Sequence, residues 1–271
     1  MCILFRIMAI TPKVRQGYNN KQSRTPIRRG GASHYGSLTL FGVHVVKRLL
    51  ETYPLMTTSV MVREGLMEEI REFARQVGYK GPVHVAKEAE LDKKAKGAIH
   101  QGVIAEIPGF PYSPIESITS DAKLILALDQ IQDPQNVGAL IRSAVAFGCS
   151  AVLLPEHDQV GVTGVVARAS AGTLFDIPIV RIGNMTQTFE YLKERGFWVA
   201  GLAGEATTTI DEYVFDAPTV IVVGSEGDGI REGVRKNCDA LLSIPMSEKV
   251  ESLNVSVAGA IALFHAHRAL K

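Results

Sequence analysis

Between residues 39 and 106 the chain alternates short helical and extended patterns. "HVVKRLLET" reads as a helix, "TTSVMV" as a strand, "LMEEIREFARQVG" as a helix, and "PVHVA" and "HQGVIAEI" as strands. Together they predict a small α/β unit. Pro108, Pro111 and Pro114 then fall three apart in "PGFPYSPIES". Proline at that density excludes helix and central strand and marks a linker.

From Lys123 the alternation restarts with strands "KLILALD", "SAVLLP", "FDIPIVRI", "FWVAGLA", "TVIVVG" and "ALLSIP". Between them lie helical stretches such as "NVGALIRSAVAFG", "TGVVARASAG", "MTQTFEYLKERG" and "IREGVRKNC". Apolar strands separated by helices predict an α/β fold with a mainly parallel sheet and helices on both faces. The expected organisation is an arm over residues 1–36, a small α/β domain over 37–106, a linker over 107–121 and a larger domain over 122–271.

The last predicted helix, "VSVAGAIALFHAHRAL", has no strong polar face before His265. A helix apolar all round must be buried all round, and in a domain this size a partner subunit is the simplest cover. His265 and His267 point in different directions on a helix, which argues against a metal pair. Cys2, Cys149 and Cys238 lie far apart with no ligand spacing, so neither a zinc site nor a disulfide framework is expected.

Composition is ordinary for a globular protein, 46% hydrophobic and 21% charged over 271 residues, but charge is uneven. Nine Lys and Arg residues and no Asp or Glu precede Glu51, so the net charge of +1 combines a basic arm with an acidic body. A polyanion-binding tail and a plain solvated tail both fit. The segment "MCILFRIMAI" lacks the features of a secretory signal, while an Arg-rich, acid-poor start also fits a mitochondrial transit segment, and Met8 an alternative start. No apolar run reaches the roughly 20 residues of a membrane span. A cytoplasmic location and no membrane partner are expected.

Ligands of parallel sheets sit at the strands' carboxyl ends, where three loops carry the candidate chemistry. The first, "LDQIQDPQNVGALIR", holds Asn136, whose spacing equally suits a helix N-cap, and Arg142, a lone charge among apolar and small residues. The second, "VIVVGSEGDGI", surrounds Glu226 with Gly224, Gly227 and Gly229, which let a backbone approach a ligand closely. It is neither a dinucleotide fingerprint nor a Walker loop, which argues against a dehydrogenase. The third, "MSEKVESLN", leads to Asn254, a plausible cap for the closing helix.

Taken together, "NVGALIR", "VVGSEGDG" and "IPMSEKVESLNVSVA" resemble the three motifs of the TrmH-type branch of SPOUT RNA methyltransferases, over Lys123 to the end. "LFGVHVVKRLL" and "HQGVIAE" are similar to the small RNA-binding domain of the bacterial large-subunit rRNA 2′-O-methyltransferases of that branch. The resemblance implies a C-terminal trefoil knot, a homodimer through the knot region and closing helix, S-adenosylmethionine as cofactor, and RNA as substrate. It matches Gly224, Ile244 and Leu253 to cofactor-holding positions, with Glu226 and Met246 nearby. Asn136, Arg142, Glu226, Ser252 and Asn254 match polar catalytic positions. A guanidinium is an awkward base, so Arg142 is expected to orient a phosphate and stabilise developing alkoxide charge, leaving the proton to Glu226 or a water.

The expected activity is 2′-O-methylation of a guanosine in large-subunit (23S) rRNA. A tRNA 2′-O-methyltransferase and a non-catalytic RNA-binding or ribosome-assembly factor are the alternatives. Ser247, Glu248 and Lys249 fill a stretch of the third loop where relatives usually carry a glycine. The departure is expected to alter how closely the backbone wraps the cofactor.

Overall fold

A computed structural model describes residues 37–271. The basic arm expected over residues 1–36 lies outside the described residues.

The first sheet has four strands in the order β1-β4-β2-β3. They are β1 (Leu38–Phe41), β2 (Ser59–Val62), β3 (Val83–Val85) and β4 (Val103–Ile107). β4 runs antiparallel to both its neighbours, and β2 is parallel to β3. Helices α1 (Val43–Thr52), α2 (Met67–Gln76) and α3 (Glu88–Ala95) accompany them. Two of these elements go beyond the sequence reading. β1 is separated from α1 by Gly42 alone, so its pattern merges with the helix, and α3 buries only Leu91 and Ala95 of its eight residues.

The second sheet has seven strands in the order β7-β6-β5-β10-β8-β11-β9, and every pairing in it is parallel. Its strands are β5 (Leu124–Leu128), β6 (Ala151–Pro155), β7 (Ile179–Ile182), β8 (Trp198–Leu202), β9 (Thr208–Thr209), β10 (Thr219–Val223) and β11 (Ala240–Ser243). The helices are α4 (Pro134–Ala146), α5 (Gly164–Ala169), α6 (Met185–Glu194), α7 (Glu232–Arg235) and α8 (Val255–Ala269). All five residues of β5 are buried because both its faces are covered. Leu124, Leu126 and Leu128 join a core with Leu140 and Ile141 of α4 and Leu263 of α8. Ile125 and Ala127 face the opposite core with Phe189 and Leu192 of α6.

The Pro-rich segment is docked along the second sheet. Ser113 N–H donates to the Ile179 carbonyl at 2.8 Å, the Val162 N–H donates to Tyr112 Oη at 2.9 Å, and Ile118 is buried. The two sheets are also joined directly. Arg48 of α1 bonds Asp176 through Nε at 2.7 Å, and the Tyr53 and Phe175 rings meet edge-on at 5.9 Å.

One sequence expectation changes here. Asn136 is not the cap of α4. Asp133 caps it, Oδ1 accepting from Gln135 N–H at 2.9 Å, and Pro134 takes the first helical position, where a missing N–H costs nothing. The helix therefore starts earlier, and the Asn136 amide is free for other work. In the single chain α8 is buried along one side only. Val255, Gly259, Ala262, Leu263 and Ala266 are buried, but Val257 and Phe264 stay 47% and 43% exposed in the single chain.

Candidate active site

The carboxyl ends of β5, β10 and β11 lie along one edge, and their loops meet. α4 brings in Asn136, the loop after β10 carries Glu226, and the loop after β11 ends at Asn254. Asn136 Nδ2 donates to Glu226 Oε1 at 2.8 Å and Asn254 Nδ2 to the same oxygen at 2.9 Å. Asn254 Nδ2 also approaches Asn136 Oδ1 at 3.1 Å. The opposite end of the Asn254 amide is fixed, because Oδ1 accepts from the Ser256 N–H at 2.9 Å as the cap of α8. One asparagine thus starts the helix and aims a donor at the carboxylate. Glu226 Oε1 is held twice, and Oε2 has no hydrogen bond among the described residues.

Beside this cluster opens a cleft of about 570 Å³, within the usual range for small-molecule sites, about 300–1,000 Å³. Gly224, Glu226, Ile244, Met246, Ser252, Leu253 and Asn254 all line it. Gly224 has no room for a side chain, since a Cβ there would lie 2.2 Å from the Gly229 carbonyl carbon and oxygen. That closeness lets Ser225 and Gly229 bond each other's backbones at 3.0 and 3.2 Å and fold the loop into a tight cradle.

Two of the expected residues stand elsewhere. Asn136 is buried and does not line the cleft itself; it reaches it through Glu226 and Asn254. Arg142 is exposed on the outer side of α4, without a hydrogen bond or ion pair among the described residues, and does not line the cleft. Ser247, Glu248 and Lys249, the departure in the third loop, lie in an exposed turn closed by the Val250 N–H donating to the Ser247 carbonyl at 3.2 Å. The turn itself lies outside the cleft lining, while Met246 before it and Glu251 after it line the cleft.

Sequence reasoning missed part of the wall. The end of β8 contributes Leu202 and the loop after it Glu205, and Arg235 of α7 closes over to form an ion pair with Glu205. Arg235 holds the Glu205 carboxyl below its ordinary value. The strand-end rule that marked the other three loops applied equally to "FWVAGLAGE" and would have found Glu205.

The lining suits S-adenosylmethionine by its own chemistry. Val223, Leu242, Ile244 and Leu253 offer apolar surface for a purine, and the glycine cradle offers close backbone groups. Glu226, Asp228 and Glu251 give a negative surround for a sulfonium and an ammonium, while the one arginine is already paired with Glu205. Glu88, Asp92 and His100 of the first domain also lie close together. There, however, His100 Nδ1 accepts from the Gly102 N–H at 3.0 Å, which leaves Nε2 protonated and donating to Asp92 at 3.1 Å. Both ring nitrogens are in use, so a neutral imidazole there offers no lone pair to an ion.

A family model described as SpoU rRNA Methylase matches residues 123–264, more than half the chain. The chain belongs to the SpoU rRNA methylase family. A second model, for the substrate-binding domain of RNA 2′-O ribose methyltransferases, matches residues 39–113. As a member of this family the chain is an S-adenosylmethionine-dependent RNA 2′-O-ribose methyltransferase. It is 38% identical over 237 residues to the 23S rRNA (guanosine-2′-O-)-methyltransferase of Pseudomonas putida, covering 84% of this chain and 95% of the relative. Against the enzyme of the same description from Escherichia coli K12 it is 36% identical over 236 residues, with 84% and 97% covered. Among solved structures, an AdoMet-bound rRNA methyltransferase from Sinorhizobium meliloti superposes with a TM-score of 0.74 at 25% identity, covering 87% of this chain and 88% of that one. The SpoU methyltransferase AviRb from Streptomyces viridochromogenes, in complex with AdoMet, shares the fold at a TM-score of 0.74 and 22% identity, with 86% and 90% covered.

Proposed function

We propose that this chain methylates the ribose 2′-hydroxyl of a guanosine in 23S rRNA, with Glu226, Asn136 and Asn254 as the polar centre of the reaction. The observation that carries the reading is the convergence of these three residues at the wall of the cleft, Glu226 Oε1 accepting from both amides. The curated relatives, similar over both domains and described by that activity, favour rRNA over tRNA and over a non-catalytic assembly role.

When bound, S-adenosylmethionine supplies an electrophilic methyl group. The chain's part is to place the ribose oxygen in line with it and take up the hydroxyl proton, tasks worth roughly 7–11 kcal/mol for placement at best. Glu226 Oε2 receives that proton, directly or through a water, while the two asparagines keep Oε1 fixed and the carboxylate plane oriented. Ser252, on the cleft wall, is the residue placed to bond the incoming nucleotide, while Asn254 holds Glu226. Gly224, Ile244, Met246 and Leu253 hold the cofactor.

Arg142 requires a second subunit on this reading. The outer face of α4 exposes Arg142 and Ala146, and Phe147 just beyond it meets Phe264 of α8 edge-on at 5.7 Å. With Val257 this makes one apolar surface around a cation. We read it as the face of a homodimer, in which Arg142 is delivered to the substrate phosphate and stabilises the developing alkoxide. The chain path suits a trefoil knot: β10 enters between β5 and β8, β11 pairs beyond β8, and α8 returns against α4. The domain boundaries proposed are 37–106, 107–121 and 122–271, the first domain supplying RNA affinity. No helix among the described residues is long and apolar enough to cross a membrane, and action on ribosomal RNA fits the cytoplasm.

The test is transfer of labelled methyl from S-adenosylmethionine to unmodified 23S rRNA, with bulk tRNA as competitor. Label in 23S rRNA supports the reading. Preference for tRNA, or cofactor binding without transfer to either, overturns it.

A further inference from the structure

Asp129 is the residue immediately beyond β5 and is fully buried. A buried carboxylate persists only where its charge is matched and its oxygens are bonded. Its partner here is Arg231, which precedes α7. Asp129 Oδ2 accepts the Arg231 backbone N–H at 2.9 Å. Oδ1 accepts from Arg231 Nε at 2.8 Å and lies 2.7 Å from the terminal guanidinium nitrogen Nη2. Main chain and side chain of one residue therefore close on one carboxylate. Neither Asp129 nor Arg231 lines the cleft.

Their place in the chain gives this pair its importance. Asp129 N–H donates to the Val223 carbonyl at 2.8 Å, which ties Asp129 to the last residue of β10. The segment Gly224 to Ile230 leaves from that point, folds through the Ser225–Gly229 backbone bonds, and returns at Arg231 to the same aspartate. Both ends of the loop are pinned to one residue. The loop carries Glu226 at its middle. Asp129 also begins the first loop, seven residues before Asn136, and is followed by Gln130 in a left-handed conformation (φ 61°) and by Ile131, whose N–H and carbonyl are both bonded to the Gln159 side chain. A rigid first loop and a pinned second loop thus share one buried carboxylate, and the Asn136–Glu226 bond spans the gap between them.

We propose that Asp129 and Arg231 are positioning residues for methyl transfer: their ion pair fixes the Gly224–Ile230 loop so that its backbone cradles S-adenosylmethionine and Glu226 stays registered against Asn136 and Asn254. The proposal rests on the functional reading above. The pair acts through the loop and lines no part of the cleft. A planar fork matters at Arg231, because a lysine can answer the charge but cannot reproduce the two-nitrogen engagement of Oδ1.

The experiment compares Arg231→Lys and Arg231→Met with the wild-type chain, reading the S-adenosylmethionine Kd by calorimetry and single-turnover methyl transfer at saturating cofactor. Asp129→Asn is added as the reciprocal change. The two arginine variants keep the backbone N–H bond to Asp129, so they remain interpretable if the aspartate variant fails to fold. The expected result is a graded loss, wild type above Lys above Met, with Kd raised about tenfold and about a hundredfold. A further loss of rate is expected at saturating cofactor. In a Glu226→Gln background that further loss should disappear while the Kd effect remains, a pattern that a merely structural role would not produce. Unchanged Kd and rate in folded Arg231→Met, or a lowered melting temperature with both parameters intact, overturns the proposal. Wild-type protein that binds the cofactor and transfers nothing to 23S rRNA would instead overturn the functional reading, and the Kd series would still decide whether the pair positions the loop.

Discussion

Asn136 and Glu226 lie 90 positions apart in sequence, yet Nδ2 of the first donates to Oε1 of the second at 2.8 Å, and Asn254 completes the arrangement at 2.9 Å. This relation separates the polar centre from three merely adjacent loops. A hydrogen bond to a charged group is worth about 1.5–3 kcal/mol. Asn136→Ala should therefore slow methyl transfer roughly tenfold to a hundredfold with little change in cofactor Kd. Glu226→Gln should cost about 10²–10⁴-fold. Single-turnover rates alongside calorimetric Kd values check both.

Gly224 makes the sharpest steric prediction. A Cβ at this position meets backbone of Gly229 and Ile230 rather than a flexible side chain, so the neighbours cannot simply turn away. Gly224→Ala should open the cradle, destabilise the fold by about 1–3 kcal/mol and abolish measurable cofactor binding. Gly233→Ala, where a Cβ has open space outside the cleft lining, should bind normally. Thermal melts with and without S-adenosylmethionine separate the two.

The exposed side of α8 predicts a dimer. Phe264→Glu places a charge in the proposed interface, where burial costs several kcal/mol, or about 10²-fold or more in the dimer dissociation constant. Sedimentation should show monomers. Methyl transfer should fall with dimer content, because Arg142 then has no neighbouring site to serve. A monomeric variant with full activity would remove the second subunit from the account.

How much of this was legible beforehand depended on what periodicity can record. The parallel sheet was readable because strands such as "LILAL" are covered on both faces and so are apolar without interruption. β1 was not, because only Gly42 separates it from α1, and α3 was not, because it buries too few residues to leave a repeat. Asn254 was readable as a cap because capping is local. Asn136 is not the cap because Asp133 and Pro134 form the stronger start signal, with the cap three residues earlier, and the true partner of Asn136 lies in a distant loop. Glu205 and Arg231 escaped because their roles depend on which strand ends are neighbours, and only the strand order β5-β10-β8 reveals that.

Acid should weaken the first domain at a defined point. Lys94, bonded to Glu106 at 2.5 Å, holds that carboxyl below its ordinary value of 4.5, and a hydrogen bond from Ser59 assists. A depressed folded value means the stabilisation is present above the ordinary value and is lost as pH falls through the folded one. The melting temperature of Glu106→Gln should therefore trail the wild type at neutral pH and converge with it below 4.5. A constant gap down to strong acid would show that the pair does not titrate with folding.

The most direct measurement is nucleoside-resolved mass spectrometry of unmodified 23S rRNA incubated with the protein and isotope-labelled S-adenosylmethionine. The account predicts label in 2′-O-methylguanosine, lost with Glu226→Gln. Label on a base instead of a ribose, or undiminished labelling by Glu226→Gln, would contradict it.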